Sequence, residues 1–443
     1  MTLPPGPSTP RFVQGAYALV TPLRGMPRLR NRYGDTFTVN VPIFGRAVVI
    51  SDPAEIKQLF TTGADVVDNL DQNLGRVLGA GSLFALSGEE HRTRRRLLVP
   101  PFHGRRLAAY EQIVEDETVR EMASWPEGRP FPTLPSTMRI TLNAILRAVF
   151  GAEGAEFAEL RDLLPRLVSL GSRLAVFPLP KRGRWSPWGR FRAMRREYDA
   201  VVDRLVDKAG RAPDLDDRND VLAMMLRSRY EDGTAMSREE IADQLLTLLA
   251  AGHETTATTL AWAVERLRRH PAILRQLVDE VDAGGKALRE ATVLEVQRTR
   301  PVIDMVGRQV KAETFELGRW TVPKGYAVLV SIGLIHDDDK VFPDARTFDP
   351  ARFLDARPDL YHWIPFGGGT RRCVGAAFAN MEMNVVLRTM LRDYSLTPTT
   401  ERAERWHSRG IAYAPGKGGL AVVHRRSAAA APSAASTSTG ARS

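Results

Sequence analysis

The chain has 443 residues, 43% apolar and 26% charged, an ordinary balance for a globular protein. Its formal charge of +10 favours acidic partners. Neither zinc-finger spacing nor an aromatic RNA-binding signature occurs, which argues against nucleic acid. There is no run of roughly 18 apolar residues that would span a membrane. The start, Met1-Thr-Leu-Pro-Pro-Gly-Pro, does not read as a secretory signal, so the expected location is the cytoplasm. A lone cysteine, Cys373, excludes an intramolecular disulfide and a zinc site built on several thiolates.

In chain order, residues 1–30 are rich in Pro, Gly and Arg and are expected to wrap the surface. Thr36–Val41 and Arg46–Ser51 read as a hairpin. Asp52 and Pro53 then open a short helix through Phe60, as N-cap and first helical residue. Residues 62–90 carry five glycines and read as a long irregular loop, a kind of segment that is often functional. His91 and Arg95 follow, four apart on one helix face, and together could grip two carboxylates. Arg92, Arg94 and Arg96 read as a solvated or docking face. From Arg105 to about Pro213 the chain is helical, broken at 126–135, 151–154 and 177–187. The last break, Phe177 to Trp188, mixes Trp with Lys and Arg. A lid over a pocket is favoured there over a membrane-surface patch or a packed loop.

Ser237 and Glu240 form a capping box. The helix they open reaches His270-Pro271, roughly 30 residues or about 50 Å. It is apolar on most faces from 241 to 267, so it should cross the interior. Its middle reads Ala251-Gly-His-Glu-Thr-Thr256. Gly252 weakens a helix, Glu254 needs a partner when buried, and Thr255 can bond back to a preceding carbonyl. A buried helix that tolerates all three is shaping a site. Glu254 reads either as a proton relay, the favoured role, or as half of a salt bridge to an Arg. His253 reads as a packing residue. Another helix covers 271–282. Glu295 and Arg298 can pair on one helix face, a weak signal alone. Pro301 to Arg308 reads as a strand. Within it, Asp304 either faces a pocket or is satisfied by backbone. Segments 315–317, 320–322 and 326–331 read as one antiparallel set, and 334–362 as irregular.

The stretch Phe366-Gly-Gly-Gly-Thr-Arg-Arg-Cys373-Val-Gly375 holds the cysteine. Cys373 is a buried free thiol, a nucleophile or a thiolate metal ligand. Gly367, Gly368 and Gly369 permit close approach to a flat ligand. Arg371 and Arg372 should lower the thiol pKa. No Gly-Lys-Ser/Thr follows the glycines, which excludes a phosphate loop. A helix then runs through Arg392, strands fill 409–423, and 426–443 reads as a disordered tail after a single domain, 1–425.

The cysteine stretch resembles the haem-ligand loop of the cytochrome P-450 family, with Phe366, Gly369, Arg371, Cys373 and Gly375 at its fixed positions. The resemblance extends, in order, to His91-x-x-x-Arg95, Glu254-Thr255, Glu295-x-x-Arg298 and Pro350-Ala-Arg352-Phe353. It implies a mainly helical, triangular domain with a minor β part, built around the long central helix. It implies one haem b with Cys373 as axial ligand, propionates held by His91, Arg95, Arg308 and Arg371, and Phe366 and Gly367 beside the cofactor. Thr255 and Glu254 would serve dioxygen and protons. Ala251, Val302 and Asp304 would border the substrate. Glu295, Arg298 and Arg352 would form a structural network. The implied reaction is monooxygenation of a lipid, sterol, terpene or polyketide-like molecule by a monomer, using a ferredoxin-type donor and its reductase. The alternatives are a haem-thiolate peroxygenase, isomerase or gas sensor, and a haem-free protein with a nucleophilic cysteine.

Overall fold

The computed structural model describes residues 2–20, 25–41, 44–70, 73–104, 106–151, 154–176, 183–355 and 358–426. The expected tail beyond Arg426, half of the expected lid and Arg105 therefore lie outside the described residues. The opening segment lies at the surface as two helices, α1 (Arg11–Val20) and α2 (Gly25–Tyr33). The expected hairpin is β1 (Thr36–Val41) with β2 (Gly45–Ile50), paired antiparallel. Asp52 caps α3 (Pro53–Thr61), its carboxylate accepting from the N–H groups of Ala54 and Glu55.

The stretch read as irregular is more ordered than expected. It contains β3 (Val67–Asp68) and α4 (Asn73–Leu78) before α5 (Gly88–Leu98) begins. Gly75 is there for contact rather than freedom, since a Cβ on it would stand 3.0 Å from that of Ala85. Helices α6 (Arg106–Met122), α7 (Leu134–Phe150), α8 (Ala155–Val176) and α9 (Pro187–Gly210) match the expected helical region, with β4 (Phe131–Pro132) in its first break, and a further short helix, α10 (Val221–Arg227), lies beyond it. Trp185 is exposed beneath the Arg184 guanidinium, whereas Trp188 is buried at the start of α9.

The central helix is α11 (Arg238–Arg269), 32 residues long. Its capping box is formed: Ser237 Oγ accepts from the Glu240 N–H, and the Glu240 carboxylate accepts from the Ser237 N–H. Most of its length is buried between two apolar clusters. One lies among α7, α8 and α9, the other among α12 (Pro271–Asp282), α13 (Ala287–Thr299) and α15 (Ala376–Asp393).

Between α13 and α15 come β5 (Met305–Val310), β6 (Thr314–Leu317), β7 (Trp320–Pro323), β8 (Ala327–Ser331) and α14 (Ile332–His336). The expected three-stranded set does not form. β6 and β7 pair alone, while β8 lies parallel to β2 and antiparallel to β5 in a sheet ordered β1-β2-β8-β5-β3. Every residue of β8 is buried. Such a strand requires neighbours on both edges and cover on both faces, which a surface hairpin cannot give. The chain ends in β9 (Tyr394–Leu396), β10 (Trp406–Ser408), β11 (Tyr413–Pro415), β12 (Leu420–Ala421) and β13 (Val423–Arg425).

The Glu295 network forms with few groups left over. Arg298 donates to both Glu295 oxygens at 2.7 and 2.6 Å and to the carbonyls of His336, Ala345 and Thr347. Arg352 lies 3.7 Å from Glu295 and donates to the carbonyls of Pro343 and Asp344. Both partners of the Glu295–Arg298 pair are essentially inaccessible. Breaking a pair buried so fully costs about 3–5 kcal/mol, so it serves as a fixed brace beneath the cysteine loop. Among the described residues, no helix is long and apolar enough to cross a membrane.

Candidate functional site

Cys373 stands between a short turn, Gly369–Arg371, and the start of α15. Its N–H donates to the Phe366 carbonyl at 3.0 Å, and the Gly375 N–H is directed at its sulfur. Gly367 and Gly369 have φ of +65° and +64°, a region that favours glycine. A Cβ on Gly368 or Gly369 would stand 2.2 or 2.3 Å from Phe60 of α3. The expectation that this run approaches a flat ligand is thus corrected at these two positions, which are pressed against α3. Phe366 packs edge-on against Trp363, with ring centres 5.9 Å apart.

Cys373 lies deep in the fold, yet its side chain is exposed, so it borders an open internal space. A Cβ on Gly375 would meet only this sulfur, at 4.0 Å. Burial pushes the thiol above its ordinary value, against the Gly375 N–H, Arg95 and Arg372. The expected net lowering by Arg371 and Arg372 is therefore reversed. Arg371 is turned away, forked onto Asp68 at 2.7 Å and onto the carbonyls of Leu83 and Leu86. A thiolate in this position needs a further cation, and a bound metal ion supplies one.

His91, Arg95, Arg308 and Arg371 converge. Burial first, then Arg371 and Arg95, push the His91 pKa down to about 4. Burial and Arg371 lower Arg308 to about 10. Burial also lowers Arg95, while Cys373 raises it. The carboxylate acting on this cluster among the described residues is Asp68, already taken by Arg371, Gly88 N–H and Asn69 N–H. Arg308 donates to the carbonyls of Gly307 and Gly368. Such an excess of cations beside a thiol suits a group bearing two carboxylates and a metal. The donor set fits iron protoporphyrin.

Arg94 corrects another expectation. It is neither solvated nor available for docking, but buried, donating to the Gly81 carbonyl at 3.0 Å and paired with Glu240. It ties α5 to the start of α11. Arg92 and Arg96 are exposed.

On α11, Ala251 is exposed in the middle of a buried helix. Thr255 Oγ donates back to the Ala251 carbonyl at 2.7 Å. Glu254 is buried and accepts from Arg409 Nε at 2.8 Å. His253 packs, its Nδ1 2.7 Å from the Leu249 carbonyl, and burial lowers its pKa. Two of the expected substrate residues point elsewhere. Val302 is buried in the core with Leu260 and Val385. Asp304 Oδ1 accepts from the Gly333 N–H at 3.1 Å, and burial raises its pKa to about 6. A Cβ on Gly333 would lie 2.4 Å from that oxygen, so the carboxyl is seated against α14.

Three residues were missed. Asp68 lies in a two-residue strand without pattern. Arg409 sits in an ordinary Arg-Gly turn. Glu382 did have a signal, as an acid on the apolar face of α15. It is fully buried beside Thr256, and burial holds its pKa well above the usual carboxylate range.

The cytochrome P450 family model matches residues 4–420. The chain belongs to the cytochrome P450 family. It is similar to cytochrome P450 138 of Mycobacterium bovis, 55% identical over 426 residues, covering 96% of this chain and 97% of that protein. Cytochrome P450 135B1 of Mycobacterium tuberculosis is 40% identical over 429 residues, covering 94% and 90%. The fold also matches cyanobacterial CYP120A1 with retinoic acid bound, at a TM-score of 0.83 and 22% identity, covering 96% of this chain and all of that one. Cytochromes P450 bind haem b and are monooxygenases, taking an organic substrate, dioxygen and electrons from a redox partner.

In this P450 the seating of Asp304 has a measurable consequence. Its folded pKa of about 6 lies above the ordinary 3.8, so the folded state holds the proton more tightly. Stability should fall as pH rises between those values, by about 3 kcal/mol in all. Asp304→Asn should remove that loss. Urea unfolding at pH 4 and pH 8 should show the variant gaining on the native chain as pH rises. A pH-independent difference would contradict the burial.

Proposed function

We propose that this P450 inserts one oxygen atom into an apolar small molecule of lipid, sterol, terpene or polyketide type. The observation that carries the reading is an accessible internal thiol, Cys373, combined with a hydroxyl and an acid on a helix that opens at Ala251. One oxygen atom of O2 enters a C–H bond of the substrate, and the other leaves as water, using two electrons and two protons. Haem supplies the oxidation chemistry when bound, and thiolate ligation favours O–O cleavage.

Cys373 would bind the haem iron through its thiolate. His91, Arg95 and Arg308 would hold the propionates, and Arg371, braced by Asp68, would complete their setting. Phe366 and Gly367 shape the ligand loop. Ala251 leaves room for dioxygen and substrate. The Thr255 hydroxyl turns from the Ala251 carbonyl to donate towards dioxygen, and Glu254 supplies it with protons. Retention of both groups favours monooxygenation over a peroxide-using or sensing protein, which needs no relay. Electrons come from an acidic ferredoxin-type protein and its reductase, with Arg372, Arg92 and Arg96 as docking charges. The enzyme works as a monomer in the cytoplasm, its domain ending near residue 425.

Arg95→Ala should speed haem transfer to apomyoglobin about 10- to 100-fold, the value of a hydrogen bond to a charged group. An unchanged transfer rate would remove Arg95 from the propionate site. Thr255→Ala should bind a spin-shifting ligand as the native protein does, yet release peroxide in place of most product. Unchanged peroxide per NADPH would remove Thr255 from its role.

A further inference from the structure

Most of the buried arginines have a carboxylate. Arg94 has Glu240, Arg266 has Glu265 and Arg298 has Glu295. Among the described residues, Arg308 and Arg289 are buried with no carboxylate within ion-pair distance. The proposed function gives Arg308 a propionate. Arg289 lies elsewhere, in the first turn of α13. It is 5% exposed. Its Nη1 donates to the Gly285 carbonyl at 3.1 Å, while its Nε has no partner among the described residues. Glu280 is near but engaged, accepting from the N–H groups of Leu288 and Arg289 at 2.6 and 3.0 Å. Glu290 is paired with Lys286 at 3.3 Å. Burial lowers the Arg289 pKa, Glu280 and Glu290 oppose that, and Arg388 adds to it. A buried cation is costly unless a counter-charge meets it.

Arg289 lines a cavity of about 390 Å³ between α6, α13 and α15. That size lies within the range of small-molecule sites. α15 turns Asn380, Asn384 and Arg388 to it, four apart on one side of the helix. Arg388 is held in place by Glu115 of α6, at 2.7 Å. Asn384 Nδ2 donates to the Asn380 carbonyl at 2.9 Å, which leaves its Oδ1 buried and without a partner among the described residues. Val293, Met381 and Val385 make part of the wall apolar. The carboxylates of the lining, Glu111 and Glu290, are both exposed. The buried polar groups are thus a cation and an acceptor, while the acids stay at the surface.

We propose that this cavity binds a small oxyanion that carries a neighbouring hydroxyl. Arg289, with Lys286 and Arg388, meets the charge, and the hydroxyl donates to Asn384 Oδ1. Phosphate monoesters and hydroxy acids share that chemistry. Water satisfies Asn384 but brings no charge for Arg289. The site stands apart from the His91–Arg95–Arg308 cluster, which other elements carry. An occupant ties α13, which holds Glu295 and Arg298, to α15, which begins just past Cys373.

The test is isothermal titration calorimetry of the haem-loaded protein, at constant ionic strength set with sodium chloride. The probes are glycerol 3-phosphate and glycerate, with glycerol as the uncharged control. One saturable site per chain is expected for at least one of the two anions, and none for glycerol. The anion that binds more tightly names the source of the charge. Arg289→Gln should weaken that binding about 10- to 100-fold, the value of a hydrogen bond to a charged group. Lys286→Ala, at an exposed position, should weaken it about fivefold. Unchanged affinity in Arg289→Gln overturns the proposal. If that variant does not keep its fold, unchanged affinity in both Lys286→Ala and Asn384→Ala overturns it instead. No saturable binding of either anion below about 10 mM, or equal binding of glycerol, also overturns it.

Discussion

A thiol buried as deeply as Cys373 stays protonated unless a cation meets it. The cysteine loop is built around that constraint. Its backbone directs the Gly375 N–H at the sulfur, and Arg95 and Arg372 supply partial compensation. Burial still outweighs them. The sulfur faces an internal space rather than a packed wall, and the cluster beside it carries more positive charge than Asp68, its one carboxylate among the described residues, can balance. A haem that brings iron to the sulfur and two propionates to the cations resolves both imbalances at once. α3 wedges the loop from behind through Phe60, and the Glu295–Arg298–Arg352 network holds the chain beneath it.

The opposite wall is α11. A long apolar helix would close the site if it packed along its full length. Ala251 keeps it open, while Gly252 faces Ile145 of α7, and Glu254 and Thr255 add polar groups to a helix that is otherwise largely apolar. Thr255 resting on its own helix and Glu254 resting on Arg409 are both satisfied groups. In the proposed function each has to leave that partner during turnover, so the strength of the resting contacts bears on the rate.

Sequence carried the strongest features because they are local. The capping box, the Asp52 cap, the Gly-Gly-Gly loop and the i,i+3 pair Glu295–Arg298 each depend on residues a few positions apart, and the structure contains all four. What escaped depends on contacts across the chain. β8 reads like any apolar strand, and only its full burial puts it in the middle of a sheet. Arg94 sits in a run of arginines, and Glu240, 146 residues away, removes it from the surface. The glycines at 368 and 369 were read for a ligand, while their close neighbour is Phe60. Asp304 could have faced a pocket, but Gly333 leaves room for its carboxyl on the other side. Glu254 presented two readings, relay or salt bridge. The ion pair with Arg409, itself partly exposed, is present, as the salt-bridge reading expects.

The most direct measurement is the absorption spectrum of the purified protein, reduced and exposed to carbon monoxide. A strongly red-shifted Soret band, the mark of haem ligated by the Cys373 thiolate, is expected, and Cys373→Ser should lose it. A Soret band at the position of histidine-ligated haem, or none in well-folded protein, would contradict the place given to Cys373.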